Sequence, residues 1–208
     1  MGASVLGVLV ARAAGRTLPE ALDELVLRPL GMADTGWHVP PEQLDRLATS
    51  YGPADGGGLE VFDPGGVASV WAQPPAFADG ASGLVSTAGD LLAFGRFLLG
   101  DGTTPSGTRL LSVELLERMT TDRLTPAQRA DPMAEPFLDG GGWGYGVGVD
   151  AEGRYGWIGG FGTAWRNVPA TSSEPGRVEV VLSQRAVFPE PTDLFPDVWA
   201  ATAGPSAA

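Results

Sequence analysis

Serine, tyrosine and the carboxylates are the side chains through which this sequence could do chemistry, because it holds one histidine, His38, and neither cysteine nor lysine. All 13 basic residues are arginines. Without cysteine there is no thiol nucleophile and no disulfide. A zinc site needs several nitrogen or sulfur ligands, so no metal and no cofactor are expected. Lysine is the strong side-chain base of several serine-hydrolase designs, and its absence closes that route to an activated serine within these residues. Gly80-Ala81-Ser82-Gly83-Leu84 looks like the nucleophile elbow Gly-x-Ser-x-Gly, but its second glycine comes one residue early. His38 sits in a separate Trp/Pro-containing loop, and nothing in the sequence places it beside Ser82, so a glycine-rich turn leading to a helix cap at Ser86 is the better reading. Gly142-Trp143-Gly144-Tyr145-Gly146 departs from Gly-x-Gly-x-x-Gly and precedes no helix. It suits a strand that another backbone approaches closely, not a dinucleotide site. The acidic residues are scattered, and no local spacing forces a catalytic pair together. Trp157-Ile158-Gly159-Gly160-Phe161-Gly162-Thr163 is more informative. Adjacent glycines at a strand edge can lay exposed backbone N–H groups along a substrate, as an oxyanion hole requires. The same pattern also suits a β-bulge or a tight corner.

Helices and strands must position these residues. Ala3 to Ala14 reads as a helix apolar nearly all round and closed by Gly15. Thr17-Leu18-Pro19-Glu20 is a capping box that starts a second helix running to about Leu27, with Pro29-Leu30-Gly31-Met32 as its end. From Thr35 to Pro75 the text is loop-like, with room for one short helix at Pro41 to Ser50. Ser86-Thr87 caps an amphipathic helix, Ala88 to Leu99, stopped by Gly100. Ser112 caps another, Val113 to Thr120, and a loop follows to Gly142. Beyond it the period changes. Trp143 to Val149 alternates as a strand, Asp150 to Gly153 is a turn, and Arg154 to Ile158 pairs back. Gly162 to Val168 and Arg177 to Arg185 read as further strands. A last helix, Thr192 to Ala203, is expected to turn Leu194, Val198 and Trp199 inward over the sheet. The chain therefore divides into a helical and loop region, 1–140, and an antiparallel sheet region with a C-terminal helix, 141–208.

Composition bounds the partners. The formal net charge is −12 and the pI about 4.3, a field that repels phosphate backbones, so nucleic acid is not expected. Hydrophobic residues make up 43%, enough for a packed core. The apolar run Ala3 to Ala11 is too short to span a bilayer and lacks the positive leader of a signal peptide. A cytoplasmic location is expected on that ground, subject to where the natural chain starts.

Four stretches, taken in order, resemble the serine beta-lactamase-like family, which includes class C-like beta-lactamases, penicillin-binding-protein-like peptidases and esterases. They are Val5-Leu6-Gly7-Val8-Leu9-Val10-Ala11-Arg12-Ala13-Ala14-Gly15; Leu30-Gly31-Met32-Ala33-Asp34-Thr35-Gly36; Gly80-Ala81-Ser82-Gly83-Leu84-Val85-Ser86-Thr87-Ala88-Gly89-Asp90-Leu91; and Trp143-Gly144-Tyr145-Gly146-Val147-Gly148 followed by Trp157-Ile158-Gly159-Gly160. The resemblance implies an α/β fold of the α+β type. It covers the back half of the family's domain, with the opening strands and the nucleophile helix missing. It implies hydrolysis of an ester, amide or beta-lactam through an acyl-serine. Within it, Trp157-Ile158-Gly159 stands for the sheet-edge motif, and Gly160 for the residue whose N–H meets the oxyanion. Ser82 and Gly83 are candidates for the substrate groove.

The family's Ser-x-x-Lys has no counterpart in a chain without lysine, and none of Tyr51, Tyr145 or Tyr155 occupies the context of its catalytic tyrosine. The resemblance therefore places the nucleophilic serine, the lysine and the tyrosine upstream of Met1. The expectation is a truncated serine hydrolase, inactive as this chain alone. Once completed by an N-terminal fragment, it would act on a small-molecule or peptide-like substrate. Apolar surface is expected on the strand Arg177 to Arg185 and on the helix bearing Trp199. The alternatives are a non-catalytic binding module, using the groove beside Gly159-Gly160 and the 35–75 loops, and half of a split enzyme.

Overall fold

Caps and glycines divide the first half of the chain into short helices. The computed structural model describes residues 2–187 and 194–202. Helix α1, Gly2–Ala14, buries only Gly7, and the chain leaves it through Gly15 at φ +66°. Thr17 accepts the Glu20 N–H while the Glu20 side chain accepts from the Thr17 N–H, the reciprocal bonds that start α2, Leu18–Leu22. The helical path does not stop before Pro29. A π-helical turn, Asp23–Leu27, carries it into α3, Arg28–Leu30, and Gly31 ends it at φ +72°. The ring of Pro29 removes a ladder donor, and the wide turn before it, where Arg28 N–H reaches back to Asp23, accommodates that loss. The cap of α4, Ala88–Leu99, is Thr87 and not Ser86, whose hydroxyl bonds to that of Thr35 instead, and Ser112 caps α5, Val113–Thr120, as its sequence requires. The stretch read as loop up to Gly142 holds two short helices, α6 (Pro126–Arg129) and α7 (Ala134–Leu138). A capping box at Thr125 and Gln128 starts the first of them.

The 35–75 stretch is also more ordered than its composition suggests. It carries a 3₁₀ turn at Pro41–Arg46 and a hairpin of β1 (Ser50–Pro53) and β2 (Leu59–Asp63). Gly56, Gly57 and Gly58 all have positive φ, which lets the chain reverse between the two strands. The main sheet has five antiparallel strands in sequence order: β3 (Gly142–Trp143), β4 (Gly148–Val149), β5 (Tyr155–Gly159), β6 (Thr163–Val168) and β7 (Arg177–Leu182). The alternating run Trp143 to Val149 is not one strand. It folds back on itself, pairing Trp143 with Gly148. Gly146 at φ +84° makes the reversal, and Gly144 passes so close to the Met119 carbonyl that no side chain fits there.

Helix α4 covers one face of β6 and β7, and its Gly95 brings the helix close over Trp165, Asn167 and Val178. The core joins both halves of the chain, with Leu27, Leu30, Phe97, Leu98 and Leu116 packed against Val147, Tyr155 and Trp165. Asn167 is fully buried beneath α4. It donates to the Gly95 carbonyl at 2.8 Å and to the Tyr155 hydroxyl at 3.0 Å, and accepts from the Trp165 indole at 3.1 Å. Tyr155 in turn donates to the Leu98 carbonyl at 2.8 Å, and burial pushes its phenol up.

On the opposite face lies α8, Leu194–Thr202. Arg166 and the buried Glu179 are register partners there, ion-paired beneath the helix; Arg177 also reaches Glu179, at 2.9 Å. The Trp199 ring lies over the Arg166 guanidinium at 4.4 Å, and Thr202 donates to Glu179 at 2.8 Å. Phe195 is the buried side chain of α8, while Leu194, Val198 and Trp199 are half-buried. Thr192 and Ala203, the bounds expected from the sequence, lie outside the described residues. With both faces covered, the apolar exposure expected on β7 shrinks to Leu182. The larger exposed apolar face is on α1, where Val5, Leu6 and Leu9 are all more than half exposed.

Candidate active site

The β5 strand ends with an open backbone edge. Strand β6 pairs along the whole of β5, from Tyr155 opposite Asn167 to Gly159 opposite Thr163. On its other side β4 reaches only Tyr155 and Gly156. Trp157, Ile158 and Gly159 run on beyond it with that edge free of a strand partner among the described residues. A tight turn follows, in which Gly162, at φ +79°, donates to the Gly159 carbonyl at 3.1 Å. The turn is tied from outside: the Gly160 carbonyl accepts from Val187 N–H at 2.9 Å and the Gly162 carbonyl from Ser183 N–H at 3.0 Å. The Gly160 N–H has no hydrogen-bond partner among the described residues, and Gly160 is half-exposed. The Gly-Gly pair thus forms a tight corner, with the unengaged Gly160 N–H at its entrance.

Trp157 and Ile158 point to opposite faces and are each 44% exposed. The Trp157 ring meets Trp143 edge-on, with centroids 4.5 Å apart, and Phe137 at 5.2 Å. Phe137 lies 5.1 Å from Trp143 and closes the cluster. Phe137 comes from α7, within the stretch before Gly142 whose composition reads as loop. Its aromatic signal is visible only once α7 folds over the β3–β4 hairpin. These rings help line a groove of ≈ 610 Å³ that also takes in Asp139, Asp150, Arg154, Ile158, Arg166 and Trp199.

Ser82 and Gly83 approach the turn after β5 through side chains that sequence reasoning did not single out. The Trp71 indole donates to the Gly83 carbonyl at 2.9 Å, and its ring packs edge-on against Phe161 at 5.0 Å. Phe62, on β2, meets Phe161 from the other side at 5.2 Å. Trp71 therefore bridges the 80–83 loop to the residue after Gly160. The Trp37 indole holds the same loop by donating to the carbonyls of Asp79 (3.1 Å) and Ser82 (3.3 Å). Gly83, at φ +93°, passes over the Trp37 ring. From below, Gly80 and Gly7 of α1 meet backbone to backbone, at a spacing that excludes a side chain on Gly80 and crowds one on Gly7. Ser82 itself is exposed, and among the described residues its hydroxyl has no hydrogen-bond partner. The loops bearing His38 and Ser82 are neighbours, joined by the Gly36–Val85 bridge. Their contact runs through Trp37, and no hydrogen bond links the His38 ring to Ser82. His38 instead lines a separate pocket of ≈ 470 Å³ with Trp37, Pro40 and Pro74. No group of metal-ligating side chains occurs among the described residues.

Such a corner, with a free N–H beside an open strand edge, can hold the oxygen of a carbonyl group and pair with an extended substrate. It cannot by itself attack that carbonyl. Comparison with known proteins identifies the architecture. The Beta-lactamase family pattern matches residues 1–203. Protein Rv1367c of Mycobacterium tuberculosis is 38% identical over 182 residues, covering 80% of this chain and 44% of that protein. Penicillin-binding protein 4 of Amycolatopsis lactamdurans is 30% identical over 211 residues, covering 98% of this chain and 51% of that protein. Among solved structures, EstCE1, a hydrolase with promiscuous acyltransferase activity, superposes with a TM-score of 0.70 at 24% identity, over 92% of this chain and 52% of its own. A simvastatin synthase (LovD) mutant from Aspergillus terreus does so with 0.68 at 22% identity, over 88% and 48%. These two share the fold. The chain spans about half the length of the curated relatives it matches. On the family match and the shared α/β architecture, this chain belongs to the beta-lactamase family of serine hydrolases and their relatives.

Proposed function

We propose that this chain provides the sheet-edge wall of an acyl-transfer site. There a substrate ester, amide or beta-lactam lies along Trp157 to Gly159 and turns its carbonyl oxygen toward the Gly160 N–H. The unpartnered Gly160 N–H beside the open β5 edge carries the reading. A backbone donor fixed by its own turn needs no reorganisation when negative charge builds on the carbonyl oxygen. In this reading the nucleophilic serine, its activating lysine and the catalytic tyrosine belong to the part of the family domain outside these 208 residues. Acyl transfer then needs that segment, in the same chain or as a complementing one.

Two measurements test this. The chain is assayed alone with a chromogenic ester and a chromogenic cephalosporin, and no turnover is expected. Turnover that disappears in Ser82→Ala would overturn the placement of the nucleophile elsewhere. The chain is then co-expressed with a Ser-x-x-Lys-bearing N-terminal segment from a relative, and turnover is expected to appear. In that assembly Gly160→Pro, which deletes the N–H, should lower kcat by about 10²–10³ with a smaller effect on KM. An unchanged kcat in a folded Gly160→Pro assembly removes Gly160 from the oxyanion site. Saturable ligand binding by a folded monomer, with no turnover in any assembly, would instead favour a binding module.

A further inference from the structure

The aromatic cluster beside the β5 edge carries more than packing. Phe137, Trp143 and Trp157 pack ring against ring, with centroids 4.5 to 5.2 Å apart, too close for a ligand to enter between them. Yet Phe137 is 54% exposed and Trp157 44%, so the cluster presents a continuous apolar shelf to solvent. Large rings held rigidly against one another lose little entropy when a flat group settles on them. The shelf starts at Trp157, the residue that opens the unpaired stretch of β5.

The charges around the groove determine what can rest there. Its lining carries the carboxylates of Asp139, Asp150 and Glu152 against the guanidiniums of Arg154 and Arg166. Both guanidiniums are already engaged. Arg154 is paired with Asp150 at 2.5 Å and Glu152 at 2.7 Å, and Arg166 with Glu179. Asp139 has no ion pair among the described residues. A ligand carboxylate would therefore meet no free cation in this lining, an unpaired carboxylate at Asp139 and a second excess negative charge where Asp150 and Glu152 share Arg154, in a chain already at −12.

We infer that Phe137, Trp143 and Trp157 form the group-recognition subsite of this site, taking an aromatic or other apolar group of an ester or amide and discriminating against one that carries a carboxylate. The inference rests on the reading of β5 as the substrate edge. Its test measures binding, so it can fail or hold independently of where the nucleophile lies.

The chain as it stands is titrated with phenylacetamide, phenylacetate and phenethylammonium, followed by tryptophan fluorescence and by amide and indole NMR shifts. Phenylacetamide should saturate with a Kd of about 1–10 mM, as suits a ligand of this size. It should move the Trp143 and Trp157 indole signals and the Gly159 and Gly160 amides. Phenylacetate should bind at least about tenfold more weakly. Phe137→Ala and Trp157→Ala should each weaken phenylacetamide about three- to tenfold, whereas Tyr145→Ala, an exposed ring outside the cluster, should leave it unchanged. Binding of the carboxylate that matches phenylacetamide, or that exceeds the ammonium, overturns the proposal without any variant being made. So does saturation that leaves the Gly159 and Gly160 amides unmoved, or the absence of saturable binding.

Discussion

At the residue scale, Asn167 shows how one polar side chain holds the two halves of the core together. It is fully buried, and its amide is satisfied by the Gly95 carbonyl, the Tyr155 hydroxyl and the Trp165 indole. Removing it strands buried partners, which costs more than the bonds themselves are worth. Asn167→Ala should therefore destabilise the chain by about 2–4 kcal/mol, read as a lower urea midpoint at unchanged slope. Tyr155→Phe, which loses one hydroxyl, should cost about 1–2 kcal/mol. Equal small losses in both would show that Asn167 merely fills space. Nothing in the sequence flagged Asn167. An asparagine in a strand reads as a surface residue until a helix closes over it.

At the element scale, α8 is held by charge as well as by Phe195. Burial raises Glu179, but the bonds from Arg166, Arg177 and Thr202 outweigh it and hold its carboxyl below the ordinary glutamate value. A depressed carboxyl contributes stability that is fully present above its unfolded pKa, about 4.3, and is lost as pH falls through the folded value. The thermal midpoint should therefore fall on acidification below about pH 4.5, with Trp199 leaving its place over Arg166. Glu179→Gln should start lower near neutral pH and respond less between about pH 5 and 3. An identical pH response in the parent and Glu179→Gln would mean that other carboxylates govern acid unfolding. The Arg166–Glu179 pairing follows from strand register, which no local window of residues determines.

At the scale of the whole molecule, the exposed apolar face of α1 is the feature least suited to water. Val5, Leu6 and Leu9 are 58%, 61% and 52% exposed, and they lie on one stripe of a helix whose only buried residue is Gly7. A contiguous apolar face of this kind associates with itself or binds hydrophobic dyes. The isolated chain should enhance anilinonaphthalene sulfonate fluorescence and self-associate as concentration rises. Leu6→Gln with Leu9→Gln should reduce both without lowering the urea midpoint. If dye binding persists in the double variant, the exposed surface lies elsewhere.

The sequence by itself determined the kinds of chemistry available and the local elements. Counting residues excludes a thiol and a lysine-activated serine within the chain. The caps at Thr17, Thr87 and Ser112 start the helices they announce, because capping is a bond between near neighbours. The turn at Gly159-Gly160 is legible for the same local reason, since adjacent glycines act on their own backbone. Only the tertiary structure decided what surrounds it. The pairing of β4 with β5 stops at Gly156 because the alternating glycines of 143–149 make a hairpin and not one long strand, and this opens the β5 edge. Trp71 joins Gly83 to Phe161, and Phe137 arrives from α7. These are contacts between distant segments. They depend on strand register and on which faces pack, and neither is encoded in any local window of residues.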